Sequence, residues 1–233
     1  MNNRGPVCQL YTGTQWHFLD PRPDEVRFDD LIGLARIARY LGATIEPYTV
    51  AEHCVRGALA LMAQGHDRHT CLAFLLHDPE HIPPGDLPGP MVRYLEQEER
   101  RRRELDPSYT DPTLHIRRIG ERAVWTAFDV LDVFEGDSAH YVWGMDKLML
   151  ATERRDLMAP SAVDWGPLPN PLPERIIPWG PAVAWREFCR TFDALGGVRE
   201  PNSVREPNRL AAVVGRWPGD ESDEQIAAAL RDQ

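Results

Sequence analysis

The sequence predicts an all-α protein, and three observations carry that reading. Apolar residues recur at helical spacing through most of residues 29–197, with start and stop signals at the ends of the periodic stretches. No strand–helix alternation, P-loop or G-x-G-x-x-G accompanies them, which disfavours an α/β nucleotide-binding fold. His53, the doublet His77-Asp78 and Asp146 each stand inside an apolar segment that reads as helix. Buried imidazoles and carboxylates are costly unless paired or ligated, so these sites point to a metal centre inside a helical bundle.

The elements follow in chain order. Residues 1–28 form a polar, proline-containing N-terminal arm, in which Val7-Cys8-Gln9-Leu10-Tyr11 alternates as a strand or an extended segment would. Asp29 or Asp30 can cap a helix carrying Leu31, Leu34, Ile37, Ala38 and Leu41 on one face, with Gly42 as its stop. Thr49-Val50-Ala51-Glu52 fits a capping box, in which the threonine hydroxyl and the glutamate carboxylate satisfy orphan backbone donors. The helix it opens places His53 in its first turns and continues through Leu59, Leu61 and Met62 to Gly65. A third helix runs through Cys71, Leu72, Phe74, Leu75 and Leu76 and ends at His77-Asp78, because Pro79 disfavours helical backbone in the residue before it. A Pro/Gly-rich loop, 82–90, precedes a charged helix containing Glu96–Arg103. Asp111 and Pro112 supply an N-cap and an N1 proline for a helix over 113–134, and 138–158 forms the last core helix, with Asp146 near its middle. Residues 160–181, rich in Pro and Trp and without periodicity, wrap the core before a short helix over 182–195. The core domain is thus 29–197. Beyond it, 198–233 reads as a short acidic, peripheral tail in which VREPN occurs twice and Ser222-Asp223-Glu224-Gln225 opens a last helix.

Composition narrows the function classes. A chain of 233 residues, 42% apolar, can bury one sizeable core, which suits one domain with a tail. No apolar run approaches the roughly 18 residues that span a bilayer, and the N-terminus lacks a secretory apolar stretch, so a cytoplasmic protein without a membrane partner is expected. Cys8, Cys54, Cys71 and Cys189 have no paired spacing and read as thiols in a reducing compartment. A formal net charge of −10 argues against nucleic acid as a partner, because such binding neutralises phosphates with basic surface.

A hydrolytic metal site needs neutral imidazoles and carboxylates that hold a divalent ion and leave positions open. His53, His77, Asp78 and Asp146 offer such a mixed nitrogen and oxygen set, suited to Mn, Co, Fe, Ni, Zn or Mg, and the sequence does not choose among them. Taken alone, a His-Asp doublet is more readily a hydrogen-bonded core histidine beside a capping aspartate.

The neighbouring segments add to it. TGTQWHFLDPRPDEVRFDDLIGLARIARYLGATIEPYTVAEHCVRGALAL, LLHDPEHIPPGDLPGPM and MDKLMLATERRDLM, in this order, resemble successive blocks of the HD-domain metal-dependent phosphohydrolases. The likeness is to the small bacterial and phage branch that includes deoxynucleoside 5′-monophosphatases and dATP triphosphohydrolases. It continues through the Trp/Pro segment as a fourth block, covers roughly residues 10–196 and spares the tail. The resemblance implies an HD-domain helical bundle around one principal metal, a homo-oligomer, and hydrolysis of a nucleotide, a deoxynucleoside mono- or triphosphate, by metal-activated water attack on phosphorus. It places the metal ligands at His53, His77, Asp78 and Asp146, a phosphate-contacting arginine at Arg39, and a carboxylate near the substrate or its water at Asp86. Without it, Arg39 is an exposed helix-face arginine and Gly85-Asp86 an ordinary turn. Glu153, seven residues after Asp146, shares nearly the same helix face, and pairing with Arg154 or capping neighbours explains it as easily.

One position departs from the branch. Four residues after the doublet histidine, where glutamate is usual, stands His81; Glu80 comes one residue early, and Pro79 replaces an Ala-rich linker. Either Glu80 swings in through the altered turn, His81 acts as the acid/base with its near-neutral pKa, His81 joins His77 on a second metal, or hydrolysis has been lost. Ala43 also stands where the family often has histidine. The expected function is therefore a phosphohydrolase with Glu80, His81 and Asp86 as catalytic candidates. The alternative is a degenerate HD domain that binds a nucleotide or metal in a regulatory role, and a third reading is a di-iron oxygenase, which needs further histidine ligands. The other histidines read as surface residues, with His115 facing possible partners. Arg100–Arg103 reads as a solvated helix with i,i+4 ion pairs. Trp125, Trp143, Trp165, Trp179 and Trp185 read as core, with room for one of them to stack on a base.

Overall fold

Residues 4–79 and 85–199 are described by the computed structural model of the chain. The arm does contain a strand: Val7–Gln9 (β1) pairs antiparallel with Gln15–His17 (β2), Cys8 opposite Trp16. Its turn is tied to the body of the protein by Asp30, whose buried carboxylate accepts from Thr12 N at 2.7 Å and from Thr12 Oγ1 at 3.0 Å. Arg4 donates to Asp20 at 2.6 Å and to Glu25 at 2.7 Å, closing the other end of the arm.

The α-helix expected over 29–41 is not formed. Phe28–Ala35 is a 3-10 helix, Ala38 is extended, and Arg39–Gly42 is a further short 3-10 turn. The reason is tertiary. Ala38 forms a bridge with Thr49, Arg39 N donates to Tyr48 O at 2.9 Å, and Val50 N donates to Ile37 O at 3.1 Å. Backbone groups that a helix would pair four residues away are thus paired across the chain. Tyr40 and Leu41 hold φ of 56° and 54°, in the left-handed region that side chains other than glycine rarely occupy.

Helix α1, Val50–Ala63, begins where Thr49 Oγ1 accepts from Glu52 N at 3.2 Å. Only half of the capping box is made, because the Glu52 carboxylate turns inward, fully buried, and accepts from Arg56 Nε and Trp179 N, both at 2.8 Å. Burial pushes that carboxyl up to about 7 despite the opposing pull of Arg56. Helix α2, Arg68–Leu75, is capped by Asp67, which accepts from Thr70 N at 2.9 Å, and it ends before His77-Asp78, as Pro79 predicts. Helix α3 spans Gly89–Arg103 and contains the charged stretch Glu96–Arg103, as expected.

Helix α4, Pro112–Ala127, is capped by Asp111 as expected, with Thr113 N and Leu114 N donating to it at 2.9 and 3.2 Å. The single helix expected over 113–134 is broken. Val130 N donates to Trp125 O at 2.9 Å across Asp129, whose φ is 57°, and α5 restarts at Leu131–Glu135. Asp129 takes the left-handed stop position more often held by glycine. The break lets the Phe128 ring meet Phe28 and Phe192, at 6.3 and 5.5 Å between centroids. Helix α6, Ala139–Leu157, and helix α7, Pro181–Ala194, agree with the expected spans to within two residues.

The core is assembled around α1, which packs against α2, α6, α7 and the 3-10 helix 28–35. Gly57 makes the α1–α2 contact close, since a Cβ there would lie 2.0 Å from Phe74 Cε1. Phe28, Phe188, Phe192 and Trp185 fill the opposite side. No helix among the described residues is long and apolar enough to cross a membrane.

Candidate metal centre

Four elements meet at the polar heart of this core. His53 comes from the first turn of α1, His77 and Asp78 from just past α2, Asp146 and Glu153 from α6, and Arg39 and Tyr40 from the left-handed turn. His53, His77 and Glu153 are buried, and the His77 ring stacks on Phe74 at 4.4 Å and 29°. Among the described residues, ligand atoms of His53, His77 and Asp146 converge, with Asp78 beside them.

Hydrogen bonds on the far side of each ring decide what the near side offers. His53 Nδ1 lies 2.5 Å from Glu153 Oε1, an ionised carboxylate that can only accept, so Nδ1–H donates. His77 Nδ1 lies 2.7 Å from the Phe74 carbonyl oxygen and must donate as well. In their neutral forms both rings therefore present a bare Nε2 lone pair, and these two atoms face each other at 3.3 Å. Two bare acceptors head to head repel unless a proton on one ring or a cation between them relieves the contact.

The carboxylates point to the same conclusion. Asp146 Oδ1 lies 3.3 Å from His53 Nε2 and 3.7 Å from His77 Nε2; Asp78 Oδ1 lies 3.3 Å from His77 Nε2, and Asp78 Oδ2 lies 3.9 Å from His53 Nε2. Ligands about 2.1 Å from a tetrahedral ion stand about 3.4 Å apart, so the spread matches a first coordination sphere. Among the described residues, Arg39 pairs with Asp78 and Glu153, and Asp146 lies against the two imidazoles. A cluster this rich in carboxylates is balanced by a divalent ion or by imidazolium protons.

The charge balance shows in the titrating groups. Burial alone would lower His77, yet Asp78 and the bond to Asp146 outweigh it and hold His77 well above the ordinary histidine value. Burial likewise favours neutral carboxyls, but Asp146 is held low by both imidazoles and Glu153 by Arg39 and His53. Cys54 Sγ stands 4.0 Å from His77 Nδ1, the nitrogen already engaged by Phe74; burial pushes the thiol up, and Cys54 forms with His77 and Asp78 a second group that could hold an ion.

Arg39 is buried, not exposed on a helix face: Nη1 donates to Asp78 Oδ2 at 3.0 Å, and Nε stands 3.3 Å from Glu153 Oε2. Asp86 is half-buried in the loop that enters α3 and is not among the converging ligands. Glu80 and His81 lie outside the described residues. Sequence reasoning left Glu153 as an ion-pair or capping residue, whereas it orients His53 and also accepts from the Tyr40 hydroxyl. The seven-residue spacing from Asp146 was the available signal. Tyr40 had none, because its position depends on a backbone turn that no local pattern announces.

No protein-family model matches the chain. It is similar to the uncharacterized protein YfdR of Escherichia coli (strain K12). The two are 25% identical over 196 residues, 82% of this chain and 97% of that protein, so the likeness runs through nearly all of YfdR. That relative's name assigns no activity. The fold is mainly helical, and its His/Asp cluster is compatible with a metal-binding site of HD type.

Proposed function

We propose that the protein is a metal-dependent phosphohydrolase acting on a nucleotide, a deoxynucleoside mono- or triphosphate. The observation that carries this reading is the pair of Nε2 atoms facing each other at 3.3 Å, each ring fixed by a hydrogen bond behind it. His53, His77, Asp78 and Asp146 would hold the ion, which when bound supplies Lewis-acid polarisation of a phosphoryl oxygen. Arg39 reaches Asp78 and, on exchanging one carboxylate for a phosphate oxygen, neutralises part of the substrate's charge. Asp146, whose side chain is 36% exposed, opens the cluster to solvent and so to a substrate. Asp86, with Glu80 or His81, would hold the water or protonate the leaving oxygen. The choice of nucleotides rests on the sequence resemblance in four ordered blocks.

The test is a panel of ribo- and deoxyribonucleoside mono-, di- and triphosphates incubated with manganese- or cobalt-loaded protein, beside Asp78→Ala and Asp146→Ala. Release of phosphate, pyrophosphate or triphosphate from one class, lost together with metal binding in Asp146→Ala, is the expected result. Silence from folded, metal-bound wild type replaces this reading by that of a domain that binds without hydrolysing. Turnover by metal-free Asp146→Ala rules out a role for the ion.

A further inference from the structure

We infer that Trp143 is the platform on which the substrate lays a flat aromatic ring beside the metal centre, an inference that rests on the phosphohydrolase reading above. Trp143 precedes Asp146 by three residues and therefore lies on the same face of α6, one turn away. Its neighbours Val142 and Met145 are buried, whereas Trp143 is 43% exposed. A tryptophan gains from burying its large apolar surface, and this fold leaves much of that surface in solvent next to a polar site.

The ring is also firmly placed. It meets His77 at 6.4 Å and 71° and Phe134 at 5.8 Å and 52°. Phe134 in turn stacks on Trp125 at 3.8 Å and 11°, and Trp125 Nε1 donates to Leu76 O at 2.8 Å, the carbonyl just before His77. An aromatic wall is thus bonded to the same backbone that carries the ligand doublet. Arg39 pairs with Asp78 and Glu153 in the same cluster. Trp165, the other candidate, is already engaged by Tyr40 at 5.9 Å and by Arg154 at 5.4 Å. A phosphate ester that carries a planar ring, as a nucleobase does, fits this division of polar and aromatic surfaces better than a bare sugar phosphate.

The experiment compares two ligands on manganese-loaded, full-length protein by calorimetry: a deoxynucleoside 5′-phosphonate and the deoxyribose 5-phosphonate without its base, both resistant to hydrolysis. Wild type should bind the ring-bearing compound at least about tenfold more tightly, the range seen when one base stacks on one aromatic side chain. Trp143→Phe should keep most of that ratio, whereas Trp143→Leu and Trp143→Ala should collapse it. An unchanged ratio in folded Trp143→Leu, with both compounds still bound, overturns the platform and leaves the phosphohydrolase reading standing. If neither compound binds wild type, that reading fails and the platform with it.

Discussion

The proton on His53 is positioned by Glu153, and this makes Glu153 the residue through which α6 controls the centre from behind. A carboxylate behind a ligating imidazole raises the basicity of the ring and fixes its orientation, and losing it costs roughly 10–100-fold in metal affinity in comparable sites. Glu153→Gln keeps the acceptor and the shape but removes the charge. Its affinity for manganese, measured by competition with a chelator, should fall by about that factor, and wild-type affinity in this variant would show that the carboxylate does not support the ion. At this scale the sequence was informative about the candidate ligands and silent about their support. His53, His77, Asp78 and Asp146 were legible as polar residues stranded in apolar segments. The partnership of Tyr40, Arg39 and Glu153 was not, since it links the turn at 39–42 to a helix more than a hundred residues later.

Two contacts between elements lend themselves to test. Gly57→Ala would drive a methyl group into the Phe74 ring, on which His77 stacks. Overpacking of this kind costs about 1–3 kcal/mol, so the variant should melt several degrees lower and bind metal more weakly; a wild-type melting temperature would show that α1 and α2 separate easily. Helices α3 and α4 are clamped by Glu99, which accepts from Arg118 at 3.0 Å and from Arg103 at 3.0 Å. The bond from Arg118 holds the Glu99 carboxyl below its usual range. A depressed carboxyl stabilises the folded state above the unfolded glutamate value, and that contribution is lost as pH falls through the folded value. Both arginines are partly solvated, so the clamp is worth only about 1 kcal/mol. Glu99→Gln should therefore be less stable than wild type at neutral pH, and the gap should close below about pH 4, as denaturant titrations at several pH values would reveal. Element starts were the legible part here: Thr49 and Asp111 cap where expected. The breaks at 36–38 and at Asp129 were not, because each is imposed by a partner from elsewhere in the chain.

Across the whole molecule, the core is completed from far along the chain. Helix α7 follows a long segment without helix, yet Phe188 and Phe192 are fully buried against Phe28. Phe192→Ala should cost about 3–5 kcal/mol in chemical denaturation. A smaller loss would mean that α7 is an accessory to a core that stands without it. Binding of an ion to the folded centre also couples to global stability, by about 2.7 kcal/mol at a hundredfold excess over the dissociation constant. Manganese should raise the melting temperature of wild type and leave that of Asp146→Ala unchanged; an equal rise in both would place the ion elsewhere.

The sequence by itself determined the mainly helical class, most helix starts and the candidate ligands, because periodicity, caps and the cost of a buried polar side chain act over one to four residues. Only the tertiary structure decided that His53 and His77 turn their Nε2 atoms toward each other, that Arg39 is buried between carboxylates, and that Trp143 is left half in solvent. Those outcomes depend on pairings 24, 39 and 100 residues apart along the chain. Such pairings are set by how helices pack and how buried charges balance, and no local pattern encodes them.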